Sequence, residues 1–305
     1  MTFKLKILGS NSAAPAHNRN QTSQLLYINN YRFLIDCGEG TQMQLARYNV
    51  KLNKINHIFI SHLHGDHFFG LMGLVSTMHL FRRAKDLHIF APFGLSEIIT
   101  TSLKYSESYL NFRIIFHTLE KDHPELIYEN EILTVHTIPL SHGIHCNGFL
   151  FREKPKPNKI NKEALPENIS LKNIALLKKG QDILDEEGNI LYKNEMLTLP
   201  AKKSFSFAYC SDTIYDESII PQIKDVDLLY HESTFTNEMA DRAKDTFHST
   251  AAQAASIAAK AGVSKLILGH YSIRYKDLYP LLNEAKRIFP ETVLSKEGES
   301  IVLEP

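Results

Sequence analysis

The chain has 305 residues, 43% hydrophobic and 22% charged, a balance that fits a globular protein and excludes a disordered one. No run of eighteen apolar residues occurs, so no membrane-spanning helix is expected, and the first residues lack the layout of a secretory leader. Thirty-four basic residues balance 34 acidic ones, so overall charge makes no case for a nucleic-acid partner. Three widely spaced cysteines, Cys37, Cys146 and Cys210, argue against a disulfide framework and for the cytoplasm.

In chain order, short β-branched or aromatic runs predict strands at 3–8, 24–29 and 31–36, then a helix at 39–47. A strand at 56–61 leads to a helix at 66–82, a strand at 87–90 and a helix at 94–108. Strands follow at 132–139, 146–152, 204–210 and 226–231. The helix at 249–261 has the clearest ends: Ser249 or Thr250 can cap it, its interior is alanine-rich and Gly262 stops it. A strand at 265–269, a helix at 277–288 and a strand at 300–303 complete the series. Mixed strands and helices predict α/β sheets covered by helices. From about 152 to 203 the periodicity fades, and this stretch reads as an inserted arm. Between Arg152 and Gly180 eight Lys or Arg face three Glu, a local net of +5, which fits either a solvated loop or a phosphate-binding surface.

The segment Ser61-His62-Leu63-His64-Gly65-Asp66-His67 carries the chemical argument. It follows an apolar strand and precedes an apolar helix. His62 and His64 project to one side of an extended chain, Gly65 permits a sharp turn, and Asp66 and His67 face back from the helix start. Imidazoles with a carboxylate suit zinc, and together with distant ligands they exceed one tetrahedral ion, so two metals are expected. His142, Asp212 and His270 each end an apolar run beside a small residue, and their shared strand-end position makes them the candidates for the remaining ligands. Phe68 and Phe69, next to this segment, read as core packing.

The order His-x-His-x-Asp-His, later His, later Asp and final His resembles the metallo-β-lactamase fold. Within it the chain is similar to the ribonuclease Z family. Leu8-Gly9-Ser10 followed by Pro15 and Arg19-Asn20, Asp36-Cys37-Gly38-Glu39-Gly40-Thr41-Gln42, His231-Glu232-Ser233-Thr234-Phe235, His248-Ser249-Thr250 and His270-Tyr271-Ser272-Ile273-Arg274-Tyr275 carry that resemblance over nearly the whole chain. It departs in two places. The arm holds Lys154-Pro155-Lys156-Pro157 and Leu176-Leu177-Lys178-Lys179-Gly180 without the Gly-Pro step frequent in the family, and Ser211 stands where Gly is more usual.

The resemblance implies a four-layer αββα sandwich, with two Zn2+ per subunit (Mn2+ or another divalent metal as alternatives) at one edge. His62, His64 and His142 would hold one ion, Asp66, His67 and His270 the other, and Asp212 would bridge both. Asp66 would also act as base. His248 would donate a proton to the leaving oxygen with Glu232 orienting it, and Asp36 would hold the His62–His67 loop. The implied substrate is precursor tRNA, cut to remove its 3′ trailer, and the implied assembly a homodimer. Lys154, Lys156, Lys178 and Lys179 would grip RNA phosphates, whereas Arg274 fits either a phosphate contact or an ordinary surface salt bridge. Two other classes stay open: a small-molecule phosphodiesterase or sulfatase of the same fold, and a catalytically idle RNA-binding scaffold.

Overall fold

The computed structural model describes residues 2–304. The chain begins with an antiparallel meander of β1 (Phe3–Gly9), β2 (Ser23–Ile28) and β3 (Tyr31–Ile35). Helix α1 (Thr41–Arg47) leads to β4 (His57–Phe59), and α2 (Gly65–Phe68) and α3 (Leu71–Leu80) lead to β5 (Leu87–Ala91). Helix α4 (Leu95–Tyr105) then leads to β6 (Ile114–Thr118), and β3 to β6 pair in parallel, as helical crossovers require.

The second half repeats this plan. β7 (Leu126–Glu129), β8 (Leu133–Leu140) and β9 (Cys146–Glu153) are antiparallel. The arm follows, with β10 (Lys159–Ile160), α5 (Leu171–Lys178), β11 (Ile183–Leu184), β12 (Ile190–Tyr192), α6 (Asn194–Leu197) and β13 (Thr198–Leu199). β14 (Ser206–Cys210) rejoins the sheet beside β9. Then come α7 (Ile220–Ile223), β15 (Leu228–Glu232), α8 (Ala240–Asp245), α9 (Ala251–Ala261), β16 (Leu266–Gly269), α10 (Tyr279–Ile288) and β17 (Thr292–Leu294). β14 to β17 are parallel. β18 (Ser300–Leu303) crosses back to pair with β1, giving two seven-stranded sheets.

Alternation along the strands builds the layers. Phe3, Leu5, Ile7, Phe33, Phe59, Phe151, Phe207 and Tyr209 point into the core between the sheets. Leu25, Leu34, Ile58 and Ile89 point outward beneath the first set of helices, and Ala208, Cys210, Leu229 and Leu268 beneath the second. This is the αββα sandwich expected. Helix α9 sits close on its sheet because its buried face is mostly alanine; Thr250 and Gln253 form a capping box and Gly262, at φ 65°, ends it.

Some boundaries differ from expectation. The helix read at 66–82 is two helices, broken at Gly70, where a Cβ would stand 2.2 Å from the Gly38 carbonyl oxygen. The strand read at 56–61 ends at Phe59, freeing Ser61 and His62 from the ladder. β6, β7 and β17 had no sequence signal, being short or only partly buried. In the arm, Leu177, Ile183 and Leu197 form a small core of their own with Ile160, Leu165 and Ile169, too sparse to leave a periodic signature.

Candidate metal centre and active site

The chemistry-bearing residues gather at one edge, beyond the carboxyl ends of strands, where parallel sheets leave backbone groups and side chains free to converge. His62 and His64 follow β4, and Asp66 and His67 lie in α2. His142 follows β8, Asp212 follows β14, Glu232 ends β15 and His270 follows β16. Asp36, after β3, and His270 both adopt left-handed backbone, at φ 54° and 59°, a strain that persists where surrounding contacts fix it.

Two donor groups result. In one, His62 Nε2 lies 3.1 Å and His142 Nε2 3.2 Å from His64 Nδ1. In the other, His67 Nε2 lies 3.3 Å from His270 Nε2, and each is 3.5 Å from Asp66 Oδ2. Asp212 turns Oδ2 towards the first group, 3.6 Å from His62, and Oδ1 towards the second, 3.4 Å from His67 and 3.2 Å from His270. Nitrogens so close suit the edges of a tetrahedron around an ion at about 2.0–2.1 Å. The donor set, five imidazoles and two carboxylates with their free atoms turned inward, fits divalent metal.

The outward nitrogens are held. His67 Nδ1 donates to Asp36 Oδ2 at 2.8 Å, and His142 Nδ1 donates to the Phe247 carbonyl at 3.0 Å. His270 Nδ1 donates to Thr234 Oγ1 at 3.0 Å, and that hydroxyl donates to Glu232 Oε2 at 2.8 Å. Such contacts set the tautomer that leaves the other nitrogen free for metal. Asp36 also accepts from the Ser61 N–H, the Ser61 hydroxyl and the Tyr209 hydroxyl, at 2.8, 2.9 and 2.6 Å, so it ties the His62–His67 loop to both sheets. Ser211 adds a bond to Ser61 at 3.1 Å.

Glu232 is fully buried and accepts from His248 Nδ1 at 2.9 Å. Burial alone would lower the His248 pKa, but the Glu232 charge and hydrogen bond, helped by Asp212, carry it up to about 9. With Nδ1 committed to Glu232, His248 keeps Nε2 free. Burial would raise the Asp212 pKa, yet His270, His67 and His62 hold it well below the ordinary carboxylate range.

All seven expected ligands, and the Glu232–His248 pair beside them, thus converge. Sequence reasoning missed Ser61, Tyr209, Thr234 and the Ala13 N–H, which donates to Asp66 Oδ2 at 2.7 Å. The His-Glu-Ser-Thr string contained a signal for Thr234; a backbone donor has none. The expected RNA-contacting residues divide. Lys178, Lys179 and Arg274 are exposed. Lys154 pairs with Glu129 at 2.6 Å. Lys156, half-buried, is bonded to Glu153 at 2.6 Å and to the Lys203 carbonyl at 2.7 Å, at the arm's root.

Comparison with known proteins identifies the family. A family model described as anti-Pycsar protein Apyc1 matches residues 3–154, just short of half the chain and without Asp212 or His270. A ribonuclease Z of Cytophaga hutchinsonii is 55% identical over 300 residues, covering 98% of this chain and 96% of its own length. That of Bacteroides thetaiotaomicron is 47% identical, covering 99% and 95%. Among solved structures, the short form of human tRNase Z superposes with a TM-score of 0.73 at 26% identity, over 98% of both chains. The metallo-β-lactamase fold protein YhfI of Bacillus subtilis reaches 0.69 at 19% identity, over 99% of this chain and 100% of its own, a likeness of fold. With relatives this similar along their whole length, the chain belongs to the ribonuclease Z family of the metallo-β-lactamase fold.

Proposed function

We propose that the protein is an endoribonuclease that removes the 3′ trailer from precursor tRNA, leaving a 3′-hydroxyl on the tRNA and a 5′-phosphate on the trailer. The observation that carries this reading is the Asp212 carboxylate, one oxygen towards each donor group, beside the Glu232–His248 pair in a chain that aligns end to end with proteins named ribonuclease Z.

The cofactor is read as two zinc ions per subunit, with manganese or another divalent ion as alternatives. His62, His64 and His142 would hold one, Asp66, His67 and His270 the other, and Asp212 both. When bound, such ions make ionised water available at neutral pH, by moving its pKa from about 15.7 towards 7, and offset charge on the phosphate. The chain's own residues handle the protons. Asp66, steadied by the Ala13 N–H, accepts one from the attacking water. His248, its Nδ1–H held by Glu232, gives its Nε2 proton to the departing 3′ oxygen.

Lys178 and Lys179 at the end of α5, with Lys154 and Arg274, are the candidate contacts to RNA phosphates. Replacing Lys178 and Lys179 by Ala is expected to flatten the salt dependence of tRNA binding; an unchanged slope puts the RNA elsewhere. The enzyme is read as a homodimer in the cytoplasm; among the described residues no helix is long and apolar enough to cross a membrane. Sedimentation as a monomer at working concentration would refute the dimer.

The deciding experiment offers metal-loaded protein and its Asp66→Ala variant a precursor tRNA with a short 3′ trailer. Cleavage after the discriminator nucleotide by the wild type alone supports the reading. Hydrolysis of a small phosphodiester with no cut in the RNA moves the substrate to small molecules.

A further inference from the structure

The cleft over the donor groups, about 450 Å³, is walled mainly by polar residues, among them Ser12, Gln21, Asp66, Asp212 and His248. Phe69 is the exception, a large apolar side chain in that wall and 66% exposed. The sequence assigned it to packing. Its neighbour Phe68, only 7% exposed, fills that role in the core beneath α3.

The backbone prevents the two from exchanging places. The Cys37 N–H donates to the His67 carbonyl at 2.7 Å, and the Gly70 N–H donates to the Cys37 carbonyl at 2.9 Å. These bonds grip the chain on either side of Phe68 and Phe69, one ring inward and one outward. The Phe69 ring lies against Gly65, where a Cβ would come within 2.2 to 2.6 Å of three ring carbons. Gly65 therefore lets the ring settle on the turn between His64 and Asp66, with the remainder open to the cleft.

An exposed phenyl ring in a polar cleft gains only when a flat apolar surface covers it. RNA presents such a surface in every base, and stacking on an aromatic side chain strengthens binding roughly 5- to 150-fold per base with little dependence on sequence. Phe69 has no hydrogen-bonding group with which to choose among bases. We propose that Phe69 is the stacking platform for a nucleobase adjoining the cleaved phosphodiester. The proposal rests on the precursor-tRNA reading above and adds a residue that accepts any base at that position.

The test compares metal-loaded wild type with Phe69→Ala, Phe69→Leu and Phe69→Tyr. Substrates are a precursor tRNA and the same RNA carrying an abasic nucleotide immediately 5′ or immediately 3′ of the cleaved bond. Phe69→Ala and Phe69→Leu, the latter keeping bulk against Gly65, are expected to retain metal and lose roughly 5- to 150-fold in kcat/KM. Phe69→Tyr retains activity. One of the two abasic substrates lowers wild-type kcat/KM to the same degree and causes no further loss in Phe69→Leu. Full activity of Phe69→Leu on the intact RNA, or fully additive losses at both abasic positions, overturns the proposal while leaving the tRNA reading in place. A wild type that cuts no precursor RNA overturns both.

Discussion

Strand β4 leads to a histidine cluster in each direction, and the two differ in kind. At its start His57 stacks on His88, centroids 5.4 Å apart, and His88 stacks on His117 at 5.3 Å, with a 3.0 Å contact between their nitrogens. These rings sit with Phe33, Phe90 and Tyr128 between the sheets. Every influence on His57 acts in one direction: burial first, then His88, His117 and Arg83, lower its pKa to about 4. Beyond the other end of the strand, His62, His64 and His67 meet Asp66 and Asp212. His57, packed without an acid among its neighbours, serves as a neutral aromatic ring. Histidines converging with carboxylates form a place for cations. The carboxylates, and not the number of imidazoles, make the difference.

The largest test of this contrast removes the acid that serves both donor groups. Asp212→Ala is expected to lose bound metal and RNA cleavage together, read by metal analysis and a cleavage assay; retained stoichiometric metal would contradict its role. His248→Ala tests whether a histidine at the same edge lies outside the donor set. Metal content and RNA binding should hold while kcat falls by ~10²–10⁴, and loss of metal would put His248 among the ligands.

The packed cluster should respond to acid instead. His57 stays neutral in the fold down to about 4, while the unfolded chain protonates it below about 6.5. The unfolded state then binds the extra proton, so stability is full above pH 6.5 and falls by about 1.4 kcal/mol per unit as the pH drops towards 4. His57→Phe should flatten that limb in denaturant titrations across this range; an unaltered slope would place the acid sensitivity elsewhere. The smallest expected effect is Thr234→Val, which removes the hydroxyl between His270 Nδ1 and Glu232. Metal affinity should weaken ~10–100-fold with the fold intact, and unchanged affinity would mean the hydroxyl does not orient His270.

The contrast also bears on what the sequence could reveal. The His62–His67 string was legible because three imidazoles and an acid within six positions, after a buried strand, have no role in packing. His142, Asp212 and His270 were legible by their matching places at strand ends and by the family order. Ser61 and Tyr209 were not, since a buried hydroxyl reads as ordinary core until its partner, Asp36, is brought beside it from another strand. The Ala13 contact was beyond reach because every residue but proline carries an N–H. Phe69 was misassigned for a related reason: adjacent phenylalanines look alike in sequence, and only the pinned backbone decides which faces the cleft. Among the elements, strands buried on both faces were found, whereas edge strand β7 and the short β17 were lost.

The return of β18 to β1 has a consequence for how the protein is made. Phe3 pairs with Leu303, Lys6 reaches the Gly298 carbonyl, and Glu297 accepts from Asn20 and Gln44. β1 thus pairs with β2 as soon as that strand is made, but its other edge stays open until β18 follows. His270, needed to complete the second donor group, also comes late in translation. A nascent chain holds the His62–His67 loop long before His270 is made, so the second donor group closes only after β16 has emerged.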